Sequence, residues 1–430
     1  MDVEFRLKRL EAENLRLRRA VEELSVLNEV ALAVSSTSAL DEVVDLIVQK
    51  CVKHLRVEQG AVLMLDEQEA GAPLQTMVRK VQADYAGIPY RLGDQITGWM
   101  LKNQQPLAIN DLAADGRFRL PPEASSVKSL LCVPLRLKGK MVGVLSVFNK
   151  RGGEEFGESD QRLLTIIAAQ SAQVIESVRL YEEELKMKRI EQELDTARDI
   201  QVKLLPKGAP LIPGYDLAAR SQAARQVGGD SYDFLEAGEG RVALCLADVS
   251  GKGISASLLM ANVQATIRTL SLTEEGVASR LARANKLLHE STDSDKFVTM
   301  FYGQLDSRRN ELVFCNAGHN PPVLVRPSGS VERLEIGGPV LGVLPSFHFQ
   351  EATAALEPGS LLLIFSDGFS EAMNPRLEEF GEERLIETAR LRRDRPAAET
   401  VELLFRQVLE FCGDAPQTDD MTAMVLRRVE

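Results

Sequence analysis

The sequence predicts an α+β multidomain protein in which a short N-terminal coiled coil precedes two globular regions joined by a long helix. Three observations predict it. A heptad pattern occupies residues 1–26, and residues 160–205 contain neither Gly nor Pro. On both sides of that second stretch, short apolar runs alternate with segments of helical apolar spacing. At 430 residues the chain is long enough for two full domains with helical connectors.

In the first element, Leu7, Asn14 and Val21 fall at one heptad core position and Val3, Leu10, Leu17 and Leu24 at the other. So short a helix is unstable alone, and pairing with a second copy buries its stripe. Asn14 at an inner position favours a two-stranded, in-register coil. A parallel homodimer is therefore expected.

Residues 27–180 change to helix, strands, helix. Leu40 to Leu55 has helical spacing, whereas 60–65 and 130–135 read as strands. A further strand over 141–148 follows the Lys138-Gly139-Lys140 turn. With Ile96-Thr97-Gly98-Trp99, the segment from Pro106 to Phe118 and the paired final strands, this region resembles a GAF sensory domain. Asn149-Lys150, Phe156 and Asp160 nearly reproduce the cyclic-nucleotide signature of such domains, but Gln161 replaces its closing glutamate. Ser159 and Asp160 read instead as helix caps. Cys51, Cys132 and the four histidines offer no haem, bilin or iron–sulfur arrangement, so no GAF ligand is assigned.

A nearly continuous linker helix is predicted over 160–205, ended by Pro206, Pro210 and Pro213. Its apolar series Leu163, Ile167, Gln170, Val174, Val178, Tyr181 and Leu185 follows an eleven-residue period. The stripe resumes out of step at Met187, Ile190, Leu194, Ala197 and Leu204. Eleven-residue and seven-residue periods wind in opposite hands, so their junction is a candidate switch.

Residues 206–430 carry four acidic turns, each at the end of an apolar run: Gly228-Gly229-Asp230, Asp248-Val249-Ser250-Gly251-Lys252-Gly253, Ser366-Asp367-Gly368 and Thr418-Asp419-Asp420-Met421-Thr422. Isolated buried carboxylates are costly, so several that converge call for a cation. Oxygen ligands without thiolate or imidazole favour Mg²⁺ or Mn²⁺ over Zn²⁺. Such a centre suits water-activating hydrolysis. The strands over 241–247 and 360–365 would deliver Asp248 and Asp367 at their C-terminal ends, beside a hairpin over 297–315 and a late helix over 399–411.

Taken in order, Ala224 to Asp233, Asp248 to Gly253, Phe297 to Met300, Asn316 to Pro322, Ser366 to Asn374 and Asp419 to Thr422 resemble the SpoIIE/RsbU branch of the PPM (type 2C) serine/threonine protein phosphatases. The resemblance implies an α-β-β-α sandwich and two Mn²⁺ or Mg²⁺ ions. Asp248 would bridge both ions, with the Val249 carbonyl as a further ligand. Asp367 and Asp419 would hold one ion each or complete the pair, and Asp230 would anchor metal-bound water. In the Asp419-Asp420 pair, the pattern places the ligand first. Arg225 occupies the place where some relatives carry a phosphate-gripping arginine, with a surface salt bridge as the alternative reading. His319, followed by Pro321-Pro322, reads as part of a structural turn. Lys252 lies between two glycines, but the stretch lacks the spacing of a P-loop. The substrate implied is a phosphoserine or phosphothreonine on a bacterial regulatory protein, typically a STAS-type anti-sigma-factor antagonist. A non-catalytic GAF-bearing scaffold is the alternative, and retention of all four acidic positions argues against it.

Composition agrees with this reading. A net charge of −12 disfavours general nucleic-acid binding, and a hydrophobic content of 44% marks an ordered chain. Five scattered cysteines without a CxxC pair read as reduced residues of a cytoplasmic protein. No apolar run approaches the roughly 18 residues of a membrane span, and the charged N-terminus lacks a signal-peptide core.

Overall fold

Apolar residues at helical spacing explain the first element described. α1 (Leu40–His54) places Val43, Val44, Ile47, Val48 and Cys51 on one buried stripe. The chain then forms β1 (Val57–Leu65), β2 (Leu74–Val81), α2 (Asp94–Asn103), β3 (Leu107–Ile109), β4 (Leu130–Leu137) and β5 (Lys140–Lys150). These coordinates are a computed structural model that describes residues 40–65, 74–81, 94–118, 127–293 and 295–429, with five isolated positions between 6 and 14. The predicted coiled coil of residues 1–26 otherwise lies outside the described residues.

Two compact units divide the chain, Met1–Arg189 and Ile190–Glu430. In the first, an antiparallel sheet has the order β2-β1-β5-β4-β3. Alternation along its strands supplies two cores. Leu131, Val133, Leu145 and Val147 face α1, whereas Leu130, Cys132, Val144 and Phe148 pack with Ile96, Met100 and Leu107.

α3 (Glu158–Leu204) is 47 residues long and realises the predicted linker helix. Its start bears out the capping reading: the Asp160 carboxylate accepts from the Gly157 N–H at 2.9 Å and pairs with the Lys150 ammonium. The buried face is Leu164, Ile167, Ala168, Ser171, Ala172 and Ile175; of the eleven-residue series, Ile167 lies on it and Leu163, Val174 and Val178 pack half-buried beside it. Small residues, Ala168, Ser171 and Ala172, are buried on this face with the first core. Tyr181 and Leu185 stay 51% and 45% exposed.

The second unit continues with β6 (Tyr215–Gln222), β7 (Ser231–Glu236), β8 (Arg241–Val249), α4 (Ile254–Ser271), α5 (Val277–Ser291), β9 (Val298–Asp306) and β10 (Glu311–Ala317). Next come β11 (Val323–Val325), β12 (Val331–Arg333), β13 (Gly337–Gly338), β14 (Ala352–Ala355), β15 (Leu361–Phe365), α6 (Asp367–Ser370), α7 (Glu382–Arg392), α8 (Ala397–Cys412) and β16 (Met421–Arg428). One sheet has the order β13-β10-β9-β8-β7 with β14 also on β10, and the other β12-β11-β15-β16-β6.

Period-two alternation again sets the layers. Leu244, Leu246, Phe301, Leu362, Ile364 and Met424 form a core shared by the two sheets. On the other face of the first sheet, Ala243, Cys245 and Ala247 pack with Met260 and Val263 of α4 and Leu281 of α5. Leu363, Phe365 and Val425 pack with Leu385 of α7 and Leu404 and Phe405 of α8.

Candidate metal centre

Strand register gathers the acidic turns. Ser231 of β7 pairs with Ala247 of β8, so Asp230, just ahead of β7, emerges beside Asp248. Phe365 of β15 pairs with Ala423 of β16, which brings Asp367 to the Asp419-Asp420 turn. Asp420 then ties the two sheets together. Its carboxylate accepts from the backbone N–H groups of Ala224 at 2.8 Å, Gly229 at 2.6 Å and Asp230 at 3.3 Å. That approach needs glycine on the facing loops: a Cβ at 228 would stand 2.4 Å from Asp420 Oδ2, and one at 368 only 2.0 Å from the Asp420 carbonyl oxygen. Val249 O and Asp248 Oδ1 lie 2.8 and 3.6 Å from the point a Gly229 Cβ would occupy, so both face the Asp230 loop.

Burial and crowding raise the carboxyls of Asp230, Asp248 and Asp367. Desolvation raises Asp230 well above the usual carboxylate range, the neighbouring Asp248 adds to it, and the Thr422 and Ser366 hydroxyls offset part of the rise. Asp248 is pushed up to about 7, mainly by desolvation and then by Asp367, Asp419 and Asp420. Asp367 rises to about 6 through desolvation and Asp419, while Lys252 pulls it down.

A divalent ion fits the donor set. All the donors are oxygens, and Asp230 Oδ2 is buried with no hydrogen-bond partner. As the side chains stand, no three His, Cys, Asp or Glu among the described residues form a ready cage. The carboxylates are within electrostatic reach of one another.

The other predicted residues separate by surroundings. Arg225 is exposed on the loop that Asp420 holds, and among the described residues it forms no ion pair with the cluster. His319 is buried, bonded through Nδ1 to Thr299 Oγ1 at 2.9 Å, and pushed down to about 4 by burial. Its N–H bonds to Asn316 Oδ1 at 2.8 Å, and its carbonyl accepts from Asn316 Nδ2 at 3.0 Å. A neutral, tethered imidazole suits the turn reading and not a proton donor at neutral pH.

Comparison with known families decides the reading of both halves. The family model for stage II sporulation protein E (SpoIIE) matches residues 238–429, and the GAF domain model matches residues 37–176. The chain carries a GAF domain followed by a SpoIIE-type domain. Asp248, Asp367 and Asp419 fall inside the first match, whereas Asp230 precedes it. Protein IcfG of Synechocystis sp. is 27% identical over 263 residues, which cover 55% of this chain and 41% of that protein. Phosphoserine phosphatase RsbU of Bacillus subtilis is 28% identical over 260 residues, 58% of this chain and 75% of RsbU. The chain thus spans less than half the length of IcfG and three-quarters of RsbU. Among solved structures, the SiaA-PP2C domain of Pseudomonas aeruginosa superposes with a TM-score of 0.50 at 23% identity, over 56% of this chain and 98% of that one. That likeness concerns the fold.

Four contacts of the second unit were not expected from the sequence. Gln201, near the end of α3, binds Gly228 twice: its Nε2 donates to the Gly228 carbonyl at 2.7 Å and its Oε1 accepts from the Gly228 N–H at 3.0 Å. Asp233, buried in β7, pairs with Arg268 of α4 at 2.5 Å. Arg268 and Gln264 both donate to the Leu204 carbonyl, at 2.8 and 2.9 Å. The only signal for these in sequence is polar residues on otherwise apolar or helical stretches, which does not name their partners.

The raised carboxylates carry a pH prediction. Folded values above the unfolded ones mean that the stability these groups contribute is full below about pH 4 and is lost as pH rises through about 6 and about 7. A cation must expel the same protons, so Mn²⁺ affinity should rise with pH over that window and level off by about pH 8. Calorimetry in buffers of different ionisation enthalpy should detect proton release at pH 6 and little at pH 8. An affinity that is flat with pH would contradict the protonation scheme.

Proposed function

We propose that this chain is a metal-dependent protein-serine/threonine phosphatase. The observation that carries the reading is the meeting of carboxylates from both sheets around a buried, unpartnered Asp230 oxygen. Asp248, the Val249 carbonyl, Asp367 and Asp419 would hold two Mn²⁺ or Mg²⁺ ions, with Asp230 as a further acceptor for a cation or water. Two such ions, when bound, make a water nucleophilic near neutral pH and neutralise phosphoryl oxygens. Asp420 keeps the Gly228–Asp230 loop against the second sheet. Arg225, on the same loop, is exposed and free to swing toward a substrate phosphate as a guanidinium fork. The layering of the second unit is read as the PPM α-β-β-α sandwich.

The name of RsbU, a phosphoserine phosphatase, supports a phosphoprotein substrate. Resemblance to that branch points to a STAS-type anti-sigma-factor antagonist in the cytoplasm, and no described helix is long and apolar enough to cross a membrane. Residues 1–26 are read as a coiled coil, 27–180 as the GAF domain, 160–205 as the linker and 206–430 as the phosphatase domain. The exposed Leu180, Tyr181, Leu185 and Ile190 of α3 support pairing of the linker in a parallel homodimer. The test is hydrolysis of p-nitrophenyl phosphate and of a phosphoserine protein by the full chain. Activity should vanish with EDTA and return with Mn²⁺; hydrolysis indifferent to chelation would reject the mechanism.

Control through the linker is supported by Gln201, which joins the helix to the loop of Asp230. Gln201→Ala removes both bonds, each worth about 1 kcal/mol net. It is expected to lower activity about tenfold at limiting Mn²⁺ and less at saturation. Equal Mn²⁺ dependence of variant and wild type would make the linker a spacer. Four residues inserted after Leu185 should likewise uncouple the GAF domain while the phosphatase domain stays folded.

A further inference from the structure

Lys252 is the one charged residue of the Asp248–Gly253 turn to which the proposed mechanism gives no task. Its ammonium lies 2.8 Å from Asp419 Oδ2 and donates to the Thr418 carbonyl at 2.6 Å. It also pulls down the Asp367 carboxyl, so its charge reaches two of the proposed metal ligands. The pair is open to solvent, with 42% of the lysine side chain and 34% of the aspartate side chain exposed. Its base is held firmly. Ser250 exchanges two hydrogen bonds with Phe297 at 2.9 Å, and Gly251 and Gly253 take φ of +99° and +80° on either side of the lysine.

Resting on the metal-dependent reading above, we propose that Lys252 occupies Asp419 as a resident counter-ion and exchanges roles during turnover. A divalent ion and an ammonium seek the same oxygen lone pairs of Asp419 and repel each other, so metal loading displaces the lysine. The released ammonium stays tethered at the mouth of the site on a four-carbon stem. There it meets an incoming phosphoryl group as a compact point charge. One side chain therefore opposes metal uptake and favours phosphate binding. A surface salt bridge with no further role would do neither.

The two effects have opposite signs, which makes the proposal testable on the full chain. Stripped with EDTA and titrated with Mn²⁺ by calorimetry, Lys252→Met should bind the ion about five- to tenfold more tightly than wild type. At saturating Mn²⁺, inorganic phosphate should inhibit or bind the same variant about tenfold more weakly. Lys252→Arg, which keeps the charge, should stay near wild type in the phosphate measurement. The absence of either the tighter Mn²⁺ binding or the weaker phosphate binding overturns the exchange. Wild-type protein that takes up no Mn²⁺ overturns the metal reading itself, a result distinct from failure of the lysine's role.

Discussion

Asp248→Ala is expected to abolish Mn²⁺-dependent hydrolysis, with a loss of at least about 10³-fold in kcat, or about 4 kcal/mol of transition-state stabilisation. Asp248 ends a buried strand beside Asp230 and is under the influence of Asp367, Asp419 and Asp420, so no other side chain replaces it between the two sheets. Stability should move the other way. The carboxyl is held in a desolvated, like-charged setting, and removing it relieves repulsion in the metal-free protein. The metal-free variant should therefore melt at or above the wild-type temperature.

Metal is what separates the two proteins. Wild type at about 100 times the dissociation constant of Mn²⁺ gains about 2.7 kcal/mol, enough to raise Tm by several degrees. Asp248→Ala should gain little or nothing. Differential scanning calorimetry with and without Mn²⁺ reads both quantities on one sample. A variant that keeps wild-type activity, or that keeps the full Mn²⁺-dependent rise in Tm, would remove Asp248 from the centre.

How much of this was legible in the sequence depends on the range of each interaction. Strands β8 and β15 were readable because Ala243 to Ala247 and Leu361 to Phe365 are short apolar runs closed by Asp and Gly. Their acidic ends followed. The linker helix was readable from the absence of Gly and Pro, but its buried face only in part. Hydrophobicity marks Leu163, Ile167 and Val174, which pack on the first core, but not the small Ala168, Ser171 and Ala172 buried with them.

Polar contacts across long sequence separations were the least readable. Asp420 looks like a duplicate of Asp419 in sequence, yet three backbone N–H groups around residue 224 to 230 make it the clamp between sheets. Lys252 and Asp419 are separated by more than 160 positions, and Gln201 meets Gly228 through a loop whose course is set by the fold. Local pattern carries no information about such pairings; register does.

Gly368→Ala should cause the largest structural loss of any single methyl addition at the centre. Its Cβ would stand 2.0 Å from the Asp420 carbonyl oxygen, 2.8 Å from the Asp420 carbonyl carbon and 3.3 Å from that of Asp419. These are backbone atoms, so no flexible side chain can give way. They are also pinned: Ser366 N–H donates to the Thr422 carbonyl at 2.9 Å, Thr422 N–H to Ser366 Oγ at 2.9 Å, and the Ser366 hydroxyl to the Asp420 carbonyl at 3.2 Å. Relief requires the Asp367 and Asp419 turns to part by about 1 Å, which costs about 3 kcal/mol in a packed setting. The same displacement spreads two proposed ligands of one cation, and misplacement on that scale lowers turnover about 10²-fold. Gly208→Ala, where an added Cβ meets no atom within 4 Å, is the matched control and should leave both Tm and Mn²⁺ binding unchanged. Thermal melts and Mn²⁺ titrations of the two variants decide the matter: a Gly368→Ala protein with wild-type stability and Mn²⁺ affinity would mean that the close approach of the two turns is not what builds the centre.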